Sequence, residues 1–143
     1  MKNKQILGRK ALIEFVDLEI KDVVAKIDTG AFHNAIHCKN VEIIKSNKNS
    51  GKLTFTLLDE EHPKYDNKKI IINNFRRIRI KNSSGIYQKR YLVSLEVIVQ
   101  GKKYHEQFSL ADRSKMLSPV LLGRKFLKGR YIVDVAKLYV NEG

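Results

Sequence analysis

Short apolar stretches of period two, cut apart by turn residues, constrain this chain more than any other feature. In Arg77-Ile78-Arg79-Ile80-Lys81 the charges alternate with Ile, so an extended backbone puts one face in water and the other against a core. Tyr91, Val93, Leu95, Val97 and Val99 repeat the pattern along a longer strand, with Ser94, Glu96 and Gln100 on the other face, broken by Leu92 and Ile98. Leu53, Phe55 and Leu57 alternate with Thr54 and Thr56. Ile70-Ile71-Ile72 reads as a short strand buried on both faces, and Tyr131-Ile132-Val133 as another strand. Asn49-Ser50-Gly51, Asn73-Asn74, Ser83-Ser84-Gly85, Gln100-Gly101 and Gly129 supply the breaks. Gln100-Gly101 predicts a hairpin between the strand ending at Val99 and one from Tyr104 to Leu110. The best helical candidate is one or two turns at Arg124 to Leu127, after Gly123. Short strands with turns about every 8–12 residues predict an all-β barrel or sandwich. With no linker-like segment, residues 1–143 are expected to form one domain.

Charge narrows the partners. Lys and Arg number 28 against 15 Asp and Glu, a net +13, which attracts polyanions such as nucleic acid, ribosomes or acidic peptides. Arg76, Arg77, Arg79, Lys81, Lys89 and Arg90 form the densest group, while other lysines sit in loops, where solvated surface explains them equally well. Cys38 is the single cysteine, so no disulfide forms within the chain. No apolar run approaches the roughly 18 residues of a membrane span. Ile6-Leu7 is followed at once by Gly8-Arg9-Lys10, too short for a secretory h-region. A cytoplasmic protein with no membrane partner is expected.

The chemistry centres on Ala25-Lys26-Ile27-Asp28-Thr29-Gly30-Ala31, an apolar strand running into a carboxylate and then a tight turn. A carboxylate can act as a general base on water when held at hydrogen-bonding distance with a tuned pKa. Thr29 can hydrogen-bond locally, and Gly30 allows backbone to approach the carboxyl group. Taken alone, the tripeptide also fits an ordinary turn. Two further segments accompany it: the tip Asn82-Ser83-Ser84-Gly85-Ile86-Tyr87, and the apolar strand Val120-Leu121-Leu122-Gly123-Arg124. Ile6-Leu7-Gly8-Arg9-Lys10 echoes Leu121-Leu122-Gly123-Arg124-Lys125, though five residues do not establish a duplication. Asp134 reads as a structural acid, His62 and His105 as surface residues, and Tyr87 and Tyr91 as packing residues.

Asp-Thr-Gly-Ala, a hairpin tip and apolar-apolar-Gly-Arg, in that order, resemble the retropepsin-like aspartic peptidases. More closely, the chain resembles the RimK-associated family long described as ATP-dependent zinc proteases and now grouped with those peptidases. The matching segments are Leu7-Gly8-Arg9, Ala25 to Ala31, His37, Ser83-Ser84-Gly85, Arg90-Tyr91, Ser109 to Arg113, Met116, Leu121 to Arg124 and Val133-Asp134. The resemblance implies a closed retropepsin-type β-barrel with a flap hairpin at Ser83, Ser84 and Gly85 and at most one short helix. It implies Asp28 as the catalytic residue, supported by Thr29, Gly30, Ala31, Leu122, Gly123 and Arg124, and an association with glutamate ligases of the ATP-grasp class. The chain also departs from the family. Phe32-His33-Asn34 stand where the family usually has Arg-Thr-Ser, and no acid occurs between Ala31 and Glu42. Arg124 is therefore expected to pair with Asp112 or Asp134.

An aspartic peptidase needs two carboxylates sharing a proton, and this chain has one Asp-Thr-Gly. A C2 homodimer with Asp28 from each copy facing across the axis is the expectation. Its substrate would be a peptide or protein, and an acidic or glutamate-tailed one suits the basic chain. His33, His37 and Cys38 raise the question of zinc, but on a strand His33 and His37 lie about 13 Å apart at roughly 3.3 Å per residue. His37 reads as a hydrogen-bonded, semi-buried residue and Cys38 as a small core residue. No phosphate-binding Gly-x-x-x-x-Gly-Lys loop is present, so neither zinc nor ATP is expected. Two rivals stand beside the peptidase. One is a catalytically silent retropepsin fold that binds or regulates a glutamate ligase. The other is an RNA- or ribosome-binding barrel, with few aromatics among its basic residues for base stacking.

Overall fold

The alternating segments become strands of a barrel that closes beneath the Asp28 turn. The structure is a computed structural model describing residues 4–45, 51–82, 84–112 and 118–140. Its strands are β1 (Gln5–Leu7), β2 (Lys10–Phe15), β3 (Ile20–Ile27), β4 (Asn34–Lys45), β5 (Gly51–Leu57), β6 (Lys69–Ile72), β7 (Phe75–Lys81), β8 (Tyr87–Val99), β9 (Lys102–Ala111), β10 (Val120–Leu122) and β11 (Tyr131–Val133). One turn of α-helix, α1, spans Arg124–Leu127, and a 3-10 turn spans Val16–Leu18. Ser83, part of the expected flap tip, and Arg113 and Met116 of the family match lie outside the described residues.

Strand order runs β10-β3-β2-β8-β9-β4, and β10 also pairs with β4 through Val120↔Ile36 and Leu121↔Ala35. The six strands thus form a closed ring, which removes the sheet edges that an open barrel would leave. β5 and β6 extend the sheet from β4, and β7 pairs with the first half of β8 to make the flap arm. β1 and β11 form a separate parallel pair. Phe15 and Phe108 meet edge-to-face inside the ring, centroids 5.5 Å apart, among buried Ile13, Val97, Val99 and Leu122.

Most of the period-two reading holds. Val93, Leu95, Val97 and Val99 are buried, and Gln100-Gly101 closes the β8–β9 hairpin with Val99 opposite Lys102. Both turn residues have positive φ, 50° and 74°, the conformation a two-residue hairpin turn requires. Two readings are corrected. Ile70-Ile71-Ile72 is not buried on both faces: Ile71 is 58% exposed, because β6 ends the strand order. Thr54 and Thr56 do not face water: both are buried, because β5 lies between β4 and β6.

The echo between the two Leu-Gly-Arg-Lys segments is a true structural repeat. Asp28 N donates to Leu122 O at 2.9 Å, and Asp134 N to Leu7 O at 2.8 Å. Arg124 N donates to Ala31 O and Arg9 N to Lys137 O, both at 2.8 Å. Lys125 N bonds Phe32 O at 3.0 Å, and Lys10 N bonds Leu138 O at 2.9 Å. Asp28 Oδ1 accepts from Gly30 N at 2.9 Å, and Asp134 Oδ1 from Ala136 N at 3.0 Å. In each half, an Asp turn arches over a Leu-Gly strand end. Asp134 is thereby the structural counterpart of Asp28, holding its own turn.

Both glycines are dictated by space. A Cβ on Gly123 would lie 2.7–3.0 Å from the carbonyl oxygens of His33, Ala31 and Phe32, and one on Gly8 2.7 Å from Leu138 O. Gly123 has φ −102°, which any residue can adopt, so the overlying loop and not the backbone torsion excludes a side chain. Gly123→Ala and Gly8→Ala are each expected to cost about 1–3 kcal/mol by overpacking. Urea titration of each variant against the parent checks this.

Candidate active site

β10 lies between β3 and β4, parallel to the first and antiparallel to the second. The loop joining β3 to β4, residues 28–33, therefore has to cross the end of β10. Apolar residues at 120–122 make that possible, since all of β10 is buried. The loop is fastened from below by Leu122 O to Asp28 N and by the first residues of α1 to Ala31 O and Phe32 O. Asn34 locks the far end. It is 1% exposed, accepts from Gly123 N at 2.9 Å through Oδ1, and donates from Nδ2 to Gln107 O at 2.9 Å.

This fastening presents the turn outward. Asp28 is half-buried, and Thr29 and Gly30 are exposed. One Asp28 oxygen takes the Gly30 N–H at 2.9 Å, which orients the carboxyl group. Arg124 pairs with neither Asp112 nor Asp134. Its Nη1 donates to Thr29 O at 3.0 Å, and its Cζ lies 5.9 Å from the centroid of the Phe32 ring. With no acid between Ala31 and Glu42, the guanidinium takes a backbone carbonyl and an aromatic face instead.

The turn opens on a cleft of about 810 Å³, bounded by the Asp28 loop, by Arg79 to Asn82 and Tyr87 of the flap, and by Arg90, Ser109, Ala111 and Asp112. Four cations line it, Arg79, Lys81, Arg90 and Arg124, against the carboxylates Asp28 and Asp112. Among the described residues, Arg79 and Lys81 meet no carboxylate; they lie over the Tyr87 ring at 5.4 and 5.8 Å. Tyr87 is 57% exposed and lines the cleft, unlike the packing role read from the sequence, whereas Tyr91 does pack, edge-on to Phe75. His33 also lines the cleft, and burial, with Lys125 and Arg76 nearby, lowers its pKa, favouring the neutral ring. At the flap tip, Asn82 Oδ1 accepts from Ser84 N at 2.9 Å and Ile86 N at 3.0 Å. Gly85 takes φ 81° there, a conformation suited to glycine.

His37 does not line the cleft with His33. It is 3% exposed, with Nε2 2.6 Å from Asp59 Oδ2 and Nδ1 3.8 Å from Asp112 Oδ1. Burial pushes the Cys38 thiol up to about 12, leaving it unreactive. His105 is exposed, and His62 is half-buried with its Nδ1 capped by Lys64 N. Sequence reasoning missed Asn34 and the Asp59 partner of His37, which depend on contacts across 73 and 22 residues. It marked Arg79, Lys81 and Arg90 as part of the densest basic group but not that they line one cleft.

A closed six-stranded barrel with an Asp-Thr-Gly loop arched over an apolar-apolar-Gly strand defines the retropepsin-like class. The chain belongs to the RimB-like family, whose model, described as retropepsin-like aspartic endopeptidase RimB, matches residues 6–142. It is 27% identical over 141 residues to a probable alpha-L-glutamate ligase of Shewanella pealeana, and 27% identical over 137 residues to one of Desulfotalea psychrophila. These alignments cover 96% and 93% of this chain but only 30% and 28% of the relatives. A Legionella pneumophila protein of unknown function shares the fold, with a TM-score of 0.73 at 23% identity over 96% of this chain and 98% of that one. Among the described residues no helix is long and apolar enough to cross a membrane.

Two outcomes follow for stability. Asn34→Ala leaves the buried Gly123 N–H without its acceptor and removes the bond to Gln107 O, and is expected to cost about 2–3 kcal/mol in chemical denaturation. The hydrogen bond from His37, with a smaller contribution from Glu61 N, lowers the Asp59 pKa. A carboxyl depressed in the folded state stabilises above its unfolded pKa, about 4, and that stabilisation is lost as pH falls through the folded value. Asp59→Asn should therefore lower stability at pH 7 and flatten the acid limb of a melting-temperature profile below about pH 4.

Proposed function

We propose that the chain is an aspartic endopeptidase in which two copies each contribute Asp28 to one water-activating dyad, and that its substrates are acidic peptides. The observation that carries this reading is the Asp28 turn: a carboxylate oriented by Gly30 N, fastened from beneath by β10, and opening on a cleft. One carboxylate serves as base toward water while the other, protonated, polarises the scissile carbonyl. A second Asp28 supplies the partner if the exposed turns of two copies face each other across a two-fold axis. Thr29, Gly30 and Ala31 hold the turn, and Leu122, Gly123 and Arg124 hold it from below. The β7–β8 arm, with Ser84 and Gly85 at its tip, acts as a flap that excludes water from the carboxylates. Arg79, Lys81 and Arg90 favour anionic side chains, since cations that meet no carboxylate among the described residues complement them best. No metal or nucleotide takes part in these steps.

Asp28→Asn is expected to lower kcat by at least about 10²-fold with the melting temperature retained, and sedimentation of the active form should give a dimer. Full activity in that variant, or cleavage by a strict monomer, would sink the dyad. A second reading rests on the relatives named as glutamate ligases, of which this chain matches less than a third. In it the domain binds or regulates such a ligase without cleaving. It is favoured if a purified dimer holds its two Asp28 carboxyl groups much further apart than the ~3 Å of a proton-sharing pair.

A further inference from the structure

Where β4 parts from β9, the barrel leaves a second recess that the Asp28 loop does not line. β4 pairs with β9 only from Asn34↔Phe108 to His37↔Ala111. β9 then ends, while β4 runs on to Lys45 with a bulge between Lys39 and Glu42 and Asn40 at φ 56°. On the other side β8 outruns β9. Its last partner there is Leu110, opposite Tyr91, and residues 87–90 pair with β7 alone. Between these diverging segments lies a space of about 500 Å³, which shares Arg90, Ala111 and Asp112 with the active-site cleft.

Its charges are unbalanced in one direction. Lys39, Lys89 and Arg90 line it against the single carboxylate of Asp112. That carboxylate is already engaged, 3.1 Å from Lys39 Nζ and 3.8 Å from His37 Nδ1. Among the described residues, Lys89 and Arg90 have no carboxylate partner, and the Arg90 guanidinium donates to the neutral Gln88 side chain at 2.5 Å. Asn40 adds a polar group and the half-buried Tyr91 an aromatic wall. Two cations without a carboxylate partner, beside strand edges that β9 does not pair, suit a carboxylate carried on an extended chain.

We infer that this recess is a second anion subsite, which takes an acidic side chain of the same peptide some residues away from the bond held at Asp28. The inference rests on the acidic-peptide reading of the cleft and adds a requirement for length. A short acidic peptide fills the cleft alone, whereas a longer one reaches Lys89.

Binding to the Asp28→Asn protein tests this without cleavage, using Glu-rich peptides of about four and about ten residues in calorimetry at one salt concentration. Lys89 lines the recess and not the cleft, so Lys89→Glu separates the two. The longer peptide should bind more tightly than the shorter. Lys89→Glu should weaken the longer by about tenfold and the shorter by less than about twofold. The charge-matched Lys64→Glu, in an exposed loop, should change neither. Equal losses for both peptides, no loss for the longer, or the same loss with Lys64→Glu overturns the second subsite while leaving the acidic-peptide reading standing. Failure of both peptides to bind the parent overturns both.

Discussion

The burial of β10 between β3 and β4 is the constraint on which the rest depends. Three apolar residues, Val120, Leu121 and Leu122, close the barrel by pairing with strands on both sides. Because those strands are joined by residues 28–33, closure forces the joining loop over the end of β10. Gly123 has no room for a side chain under that loop, and Asn34 ties the loop to both Gly123 and β9. The same contacts that complete the hydrophobic ring thereby orient Asp28. Stability and site geometry are coupled here, since a loop fastened by backbone hydrogen bonds and close packing holds its carboxylate far better than a free turn could.

The device is used twice. Leu7, Arg9, Lys10 and Asp134 repeat the hydrogen bonds of Leu122, Arg124, Lys125 and Asp28 at nearly the same lengths, and Gly8 is as crowded as Gly123. Only the Asp28 turn faces the cleft bounded by flap cations. The surroundings and not the motif therefore distinguish the two turns: each is a structural joint over a Leu-Gly strand end, and one has a basic cleft in front of it.

Electrostatics gives that cleft its character. Four cations and two carboxylates line it, and Arg124 is consumed by Thr29 O and the Phe32 ring. The lack of an acid between Ala31 and Glu42 redirects Arg124 from ion pairing to holding the loop backbone. The remaining cations stand on the arm that carries the flap, so closure of the arm would bring positive charge onto whatever occupies the cleft. Part of the excess of basic residues behind the net charge of +13 is thus gathered around this one cleft.

Much of this was legible before any fold was known. Period-two alternation located the long strands and the Gln100-Gly101 hairpin, because side-chain direction in an extended chain follows directly from residue order. The helical turn at Arg124–Leu127 was marked by its flanking glycines. The errors lie where neighbours decide: Ile71 is exposed because β6 is an edge, Thr56 is buried because β5 is not, and Arg124 finds a carbonyl that local sequence does not reveal. By itself the sequence determined an all-β chain, a carboxylate at the end of an apolar strand, and a strong positive charge. Those are properties of residue type and local spacing. Only the tertiary structure decided that β10 passes beneath the Asp28 loop, that Asn34 and the His37–Asp59 pair lock the site's surroundings, and that the flap cations line one cleft. Those depend on which distant segments the closing of the ring brings together.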